Sequence, residues 1–183
     1  METDDYKDLS ILDLQSILKE NPKDVLNIVS LANAYFEADR IEDAKEQYKK
    51  ALEIEPDEED ALYNLGICLV IDKKYPEAAK YFERFLKIYP EDNDGLHKLG
   101  VVFMRMEKFE EALVLLQKSV TLNPDSFDTQ LSISLAYEAL SKGSEAIHHS
   151  QQAENLAEDM ETKNELKDRV LELYKKFGSQ NPQ

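Results

Sequence analysis

Apolar residues recur along the chain with the spacing of amphipathic helices, and the stripes themselves recur every 34 residues. Ile28, Leu31, Ala32 and Tyr35 follow an i, i+3, i+4, i+7 stripe, and after polar Asp39 and Arg40 a second runs through Ile41, Ala44, Tyr48, Ala51 and Leu52. The next period has Leu62, Leu65, Gly66 and Leu69, then Tyr75, Ala78, Phe82 and Phe85. A third has Leu96, Leu99, Gly100 and Phe103, then Phe109, Ala112 and Leu116, and a weaker fourth has Ile133, Ser134 and Tyr137, then Ala146 and Ala153. Two helices joined by so short a turn lie antiparallel. Pro22, Pro56, Pro90 and Pro124 keep the same 34-residue interval and stop the second helix of each period. A fixed period of this length means stacked supersecondary units, and hence a helical solenoid.

The ends depart from the pattern. Residues 8–20 predict a lone helix with Ile11, Leu14, Ile17 and Leu18 on one face. Its Ser10, Leu14 and Ile17 take the offsets of Ala44, Tyr48 and Ala51, so it reads as a half unit covering the apolar end of the stack. Where a fifth proline would fall the chain has Glu158, so the second helix of the fourth unit is expected to run on, or to pass by a loose turn, into a cap. Thr162 and Glu165 have capping-box spacing, and Leu166, Val170, Leu173 and Phe177 make a last stripe ended by Gly178. The tail Ser179 to Gln183 is expected to fray. One domain spanning 1–183 is thus divided into a helix at 8–21, units at 25–58, 59–92, 93–126 and 127–160, and a capping helix at 161–178.

The residues at fixed offsets resemble the tetratricopeptide repeat over positions 25–160. Its motif asks for a large residue at its fourth position, Leu then a small residue at its seventh and eighth, an aromatic at eleven, Ala at twenty, an aromatic at twenty-four, Ala at twenty-seven and Pro at thirty-two. Leu65, Gly66, Ala78, Phe82 and Pro90 show the match, whereas Phe85 replaces the usual Ala, and Gln130, Ser150 and Glu158 depart in the fourth unit. The resemblance implies an all-α fold, a right-handed α-α superhelix of about ten antiparallel helices. It also implies that the first helices line a concave groove. The groove positions supply Leu26, Val29, Asn33 and Phe36, then Tyr63, Asn64, Ile67 and Val70, then His97, Lys98, Val101, Met104 and Arg105, and last Leu131, Leu135 and Glu138. Relatives that hold the C-terminal carboxylates of chaperones use five positions that become Val29, Asn33, Asn64, Asp94 and Lys98. Val29 and Asp94 break that set, so a chaperone co-factor of that kind is not indicated.

Charge narrows the partner. With 22 Lys and Arg against 38 Asp and Glu the formal charge is −16, which repels phosphate backbones and anionic membranes and draws basic or amphipathic protein segments. The single Cys68 allows no internal disulfide and falls on an apolar face as a small core residue. The acidic start, Met1 to Tyr6, is unlike a secretory signal, and no apolar run reaches membrane-spanning length, so a cytoplasmic protein is expected.

Catalytic signatures, phosphate loops and metal-ligand spacings are absent, so the reading is non-enzymatic, with no cofactor and no metal. His148 and His149 diverge on a helix, Glu145 and His149 have the spacing of a surface pair, and the acidic run from Glu53 to Asp60 reads as a solvated loop. Apolar groove residues Tyr63, Ile67, Val101 and Leu131 are the expected anchors of a peptide. Asn33 and Asn64 suit its backbone, and Lys98 and Arg105, with His97 beside them, suit an acidic group. The expected function is therefore binding of an apolar or amphipathic segment of another protein, without nucleic acid or membrane insertion. The alternative is a head-to-tail homo-oligomeric scaffold, as in magnetosome- and secretion-associated relatives of the family.

Overall fold

A computed structural model describes residues 10–178, and within them every regular element is an α-helix. In order these are α1 (Ile11–Glu20), α2 (Val25–Glu37), α3 (Ile41–Ile54), α4 (Glu59–Ile71), α5 (Tyr75–Ile88), α6 (Asn93–Arg105), α7 (Phe109–Leu122), α8 (Phe127–Ala139), α9 (Gly143–Leu156) and α10 (Met160–Phe177). They group into two compact units, the first up to Pro90 and the second from Glu91. In the first, α2 packs on α3 and α4 on α5, with α1 against α2 and α3 against α4. In the second, α6 pairs with α7 and α8 with α9, while α7 packs on α8 and α10 on α9.

Each pair is closed by small residues. Ala32, Gly66, Gly100 and Ser134 on the first helices are buried, as are Ala44, Ala78, Ala112 and Ala146 on the second. A Cβ added at Gly66 would stand 2.8 Å from the Phe82 ring, and one at Gly100 would stand 2.7 Å from Leu116 Cγ. The large side chain sixteen residues on has grown into the space that a Cβ would need. In the fourth unit that pairing becomes polar. Ser134 Oγ donates to Ala146 O at 2.8 Å and lies 2.7 Å from Ser150 Oγ, so two buried hydroxyls are satisfied in place of an aromatic plug. Cys68 is fully buried, and burial pushes its thiol up to about 11.

The turns inside the pairs share one backbone geometry. Asp39, Lys73, Glu107 and Ser141 have φ of 58°, 58°, 60° and 59°, the left-handed region. In the first turn Asp39 N–H bonds Phe36 O at 3.0 Å and Arg40 N–H bonds Tyr35 O at 2.9 Å, the paired bonds of a Schellman motif. The same two bonds recur at Lys73 and Lys74, at Glu107 and Lys108, and at Ser141 and Lys142. The following basic residue lies over the aromatic of the preceding helix in three turns: Arg40 over Tyr35 at 4.4 Å, Lys108 over Phe103 at 5.4 Å and Lys142 over Tyr137 at 5.8 Å. Repeat two has Leu69 in place of the ring. There Lys45 of α3, only 4% exposed, bonds Asp72 at the C-terminus of α4 and also Glu42. Desolvation opposes the Lys45 charge, but these hydrogen bonds outweigh it and hold its pKa above the usual lysine value. The bond from Lys45 holds Asp72 below the usual carboxylate range.

Two end features differ from expectation, and a third follows one of its two expected courses. The first helix starts at Ile11, because Ser10 is its N-cap: its hydroxyl accepts from Asp13 N–H while Asp13 accepts from Ser10 N–H. Ser10 is accordingly exposed and does not pack as Ala44 does, and residues 8 and 9 lie outside the described residues. Of the two courses expected after the fourth unit the chain takes the loose turn, since α9 ends at Leu156, Ala157 is extended, and α10 begins at Met160. Its cap is Asp159, which accepts from Thr162 N–H at 2.8 Å, so Thr162 sits in the first turn and does not cap it. A Cβ at Gly143 would stand 2.3 Å from Phe177 Cβ, which shows how closely α10 seats on α9. The predicted fraying of 179–183 and the acidic start also fall outside the described residues.

The four left-handed residues all carry a Cβ. Replacing exposed Glu107 by glycine relieves that strain and is expected to raise unfolding free energy by about 0.5–1 kcal/mol, whereas valine there lowers it, as read from urea unfolding midpoints.

Candidate functional site

The ten groove candidates sit on four first helices: Val29 and Asn33 on α2, Tyr63, Asn64 and Ile67 on α4, His97, Lys98, Val101 and Arg105 on α6, and Leu131 on α8. In the first unit Val29 is buried, and the other four are half-buried. Asn64 Nδ2 donates to Asn33 Oδ1 at 3.2 Å, so the structure joins these two across α2 and α4. The same Asn33 oxygen accepts from the hydroxyl of Tyr48 at 2.6 Å. Tyr48 is fully buried, and burial raises its phenol pKa, so Asn33 supplies the acceptor that this core hydroxyl needs. Tyr63 packs edge-on to Phe82 with ring centres 5.7 Å apart and tilted to Phe85 at 5.4 Å, and Phe85 in turn meets Tyr89 at 5.1 Å.

In the second unit His97 Nε2 is hydrogen-bonded to Ser132 Oγ at 3.2 Å, tying α6 to α8. Its burial, with Lys98 alongside, lowers its pKa and keeps it neutral near pH 7. Lys98 is half-buried with its Nζ 3.9 Å from Asp94 Oδ1, while Arg105 is exposed. Seven residues of helix separate Lys98 from Arg105, about 10 Å along the axis, so the two cations address different levels of the unit. Val101, Met104 and Arg105 line a depression of about 360 Å³ together with Phe109, Ser132 and Leu135. Leu131 is half-buried nearby on α8.

Glu138, a groove position by register, is held from outside its own helix. Arg169 Nη2 of α10 donates to one carboxylate oxygen at 2.6 Å and Lys176 Nζ to the other at 2.9 Å. Partial burial opposes the charge, but these two cations outweigh it and hold its pKa below the usual range. His149 does not pair with Glu145; its Nδ1 donates to Gln130 Oε1 at 2.8 Å and its ring stacks on Tyr137 at 5.6 Å. Among the described residues no group of three His, Cys, Asp or Glu is placed to hold a metal, and no helix is long and apolar enough to cross a membrane.

A family model described as tetratricopeptide repeat matches residues 29–93, and another of the same description matches 94–126, together more than half of the 183 residues. This chain belongs to the tetratricopeptide repeat family. Among solved structures, a crystal structure of MamA is 25% identical, with a TM-score of 0.76 over 80% of this chain and 85% of that one. A second MamA crystal structure is also 25% identical, with a TM-score of 0.75 over 80% of each chain. MamA from Desulfovibrio magneticus RS-1, from residue 41 to its end, is 20% identical over 80% of this chain and 82% of that one, with a TM-score of 0.77, a likeness of fold. The comparison with curated proteins returns no match.

Two depression residues escaped the sequence reading. Ser132 stands at a tetratricopeptide groove position but is not apolar, and Phe109 belongs to the stripe of a second helix. The register could have found the first; the second needs the three-dimensional turn.

Asn33 should behave as a core residue as well as a groove one. Asn33→Ala leaves the Tyr48 hydroxyl buried without its acceptor and is expected to cost about 1–3 kcal/mol in urea unfolding. Asn64→Ala, which spares that bond, costs less, and adding Tyr48→Phe to Asn33→Ala recovers most of the loss.

Proposed function

We propose that this tetratricopeptide repeat protein is a non-catalytic interaction module that binds an apolar or amphipathic peptide or helix of a partner protein along the groove positions of its first helices. The observation that carries the reading is the apolar side chains left partly open there: Leu26 is 58% and Leu135 39% exposed, and Tyr63, Ile67, Val101 and Leu131 are half-buried. Open apolar surface of this sort marks sites of association. Because Asn33 Oδ1 is committed to Tyr48 and Asn64, the pair offers a ligand backbone the Asn33 amide hydrogens and the Asn64 carbonyl. Lys98 and Arg105 serve an acidic group of the ligand. The overall charge of −16 favours segments that are not themselves strongly acidic throughout.

A self-assembling scaffold is the second reading. It is favoured by apolar residues on the terminal helices, where Leu12 of α1 is 76% exposed and Leu171 and Tyr174 of α10 are 50% and 49% exposed. Head-to-tail contacts between such ends generate rings or filaments.

Replacing Asn64 and Lys98 together by alanine is expected to weaken capture of the native partner in pull-downs at least tenfold, with the helical circular dichroism unchanged. Capture that is unaffected removes the groove as the site. Light scattering over a concentration series separates the second reading, since a strict monomer removes it.

A further inference from the structure

The depression of the second unit combines apolar walls with a cation that forms no ion pair among the described residues. Val101 and Met104 of α6, Phe109 of α7 and Leu135 of α8 supply the walls, and Arg105 stands on the rim. Among the described residues Arg105 has no ion-pair partner, although the chain carries 38 carboxylates for 22 cations. The carboxylate that α8 contributes at a groove position, Glu138, is already neutralised by Arg169 and Lys176. Lys98, two turns away, has its own Asp94. The far end of this groove half is thus apolar and locally cationic inside a strongly acidic protein.

We propose that this depression receives a bulky apolar side chain from a partner protein segment that carries an Asp or Glu beside it, whose carboxylate pairs with Arg105. The proposal rests on the groove reading above and names the partner chemistry for one part of it. A guanidinium binds a carboxylate through two parallel N–H donors, and a neighbouring apolar wall that excludes water strengthens that bond. The global charge does not forbid such a ligand. At physiological salt the screening length is about 8 Å, so the contact at Arg105 survives while repulsion from distant carboxylates is largely screened. A segment acidic throughout would still be repelled, so the ligand class is apolar residues with isolated acids.

The test is selection from a displayed library of random 12-residue peptides against the full chain at physiological salt, repeated with Arg105→Glu, Arg105→Gln and Leu135→Asp. Arg105 and Leu135 are exposed, and circular dichroism checks that each variant keeps its helices. The wild type is expected to enrich Phe, Leu, Ile or Met flanked by Asp or Glu. Arg105→Gln should lower that acidic preference at least tenfold, Arg105→Glu should turn it toward Lys and Arg, and Leu135→Asp should abolish the apolar enrichment. Apolar peptides enriched without regard to charge, and equally by Arg105→Glu, overturn the carboxylate partner while leaving the groove reading intact. Peptides whose binding survives Leu135→Asp, or no enrichment at all, overturn the groove reading and this proposal with it.

Discussion

Every helix pair in this protein depends on one close crossing, where the first helix can carry no more than the smallest side chains. Gly66 and Gly100 leave no room for a Cβ because Phe82 and Leu116 already occupy it, and Ser134 fits only by bonding Ala146 O and Ser150. Buried alanines at Ala44, Ala78, Ala112 and Ala146 complete the same crossing from the other side. Once this contact is made, the rotation of the first helix about its axis is fixed by packing, since a well-filled interior tolerates little overpacking. Residues it turns away from its partner, Asn64, His97 and Leu135 among them, then stand at groove positions, while Asn33 reaches back to Tyr48 of the partner helix. The proposed binding surface is a by-product of how the core is closed.

The turns reinforce that geometry without glycine. Four residues with a Cβ accept left-handed backbone because the two Schellman bonds satisfy the last carbonyls of the preceding helix. In three of the turns a cation over an aromatic ring adds to them, and in the second the buried Lys45 binds Asp72 at the end of α4. Such an ion pair is costly to break one partner at a time, whatever its net contribution when intact.

Much of the fold is legible in the residues because a 34-residue period repeats its own evidence. Leu65, Gly66, Ala78 and Phe82 say again what Leu99, Gly100, Ala112 and Leu116 say, and the helix boundaries follow. The ends are less legible, since they have no second copy to confirm them. Ser10 caps α1, and Asp159 rather than Thr162 caps α10, because each side chain reaches the N–H three residues on, a local backbone matter. Site chemistry is the least legible part. That Tyr48 takes Asn33, and that Arg169 and Lys176 take Glu138, depends on residues 15 to 38 positions apart, and no pattern of single positions reports such partners. Register placed the groove side chains on one set of helices; their partners decide which functional groups are left for a ligand.

Denaturant unfolding of Gly66→Val beside wild type tests the crossing most directly. Valine has a slightly better helix propensity than glycine, so any loss reports the contact with Phe82 and not the helix. A fall of at least about 2 kcal/mol, with lost protection of the α4 and α5 amides in hydrogen exchange, is the predicted result. Stability and protection equal to wild type would contradict the account, because the small residue would then not be what holds the pair together and orients its groove.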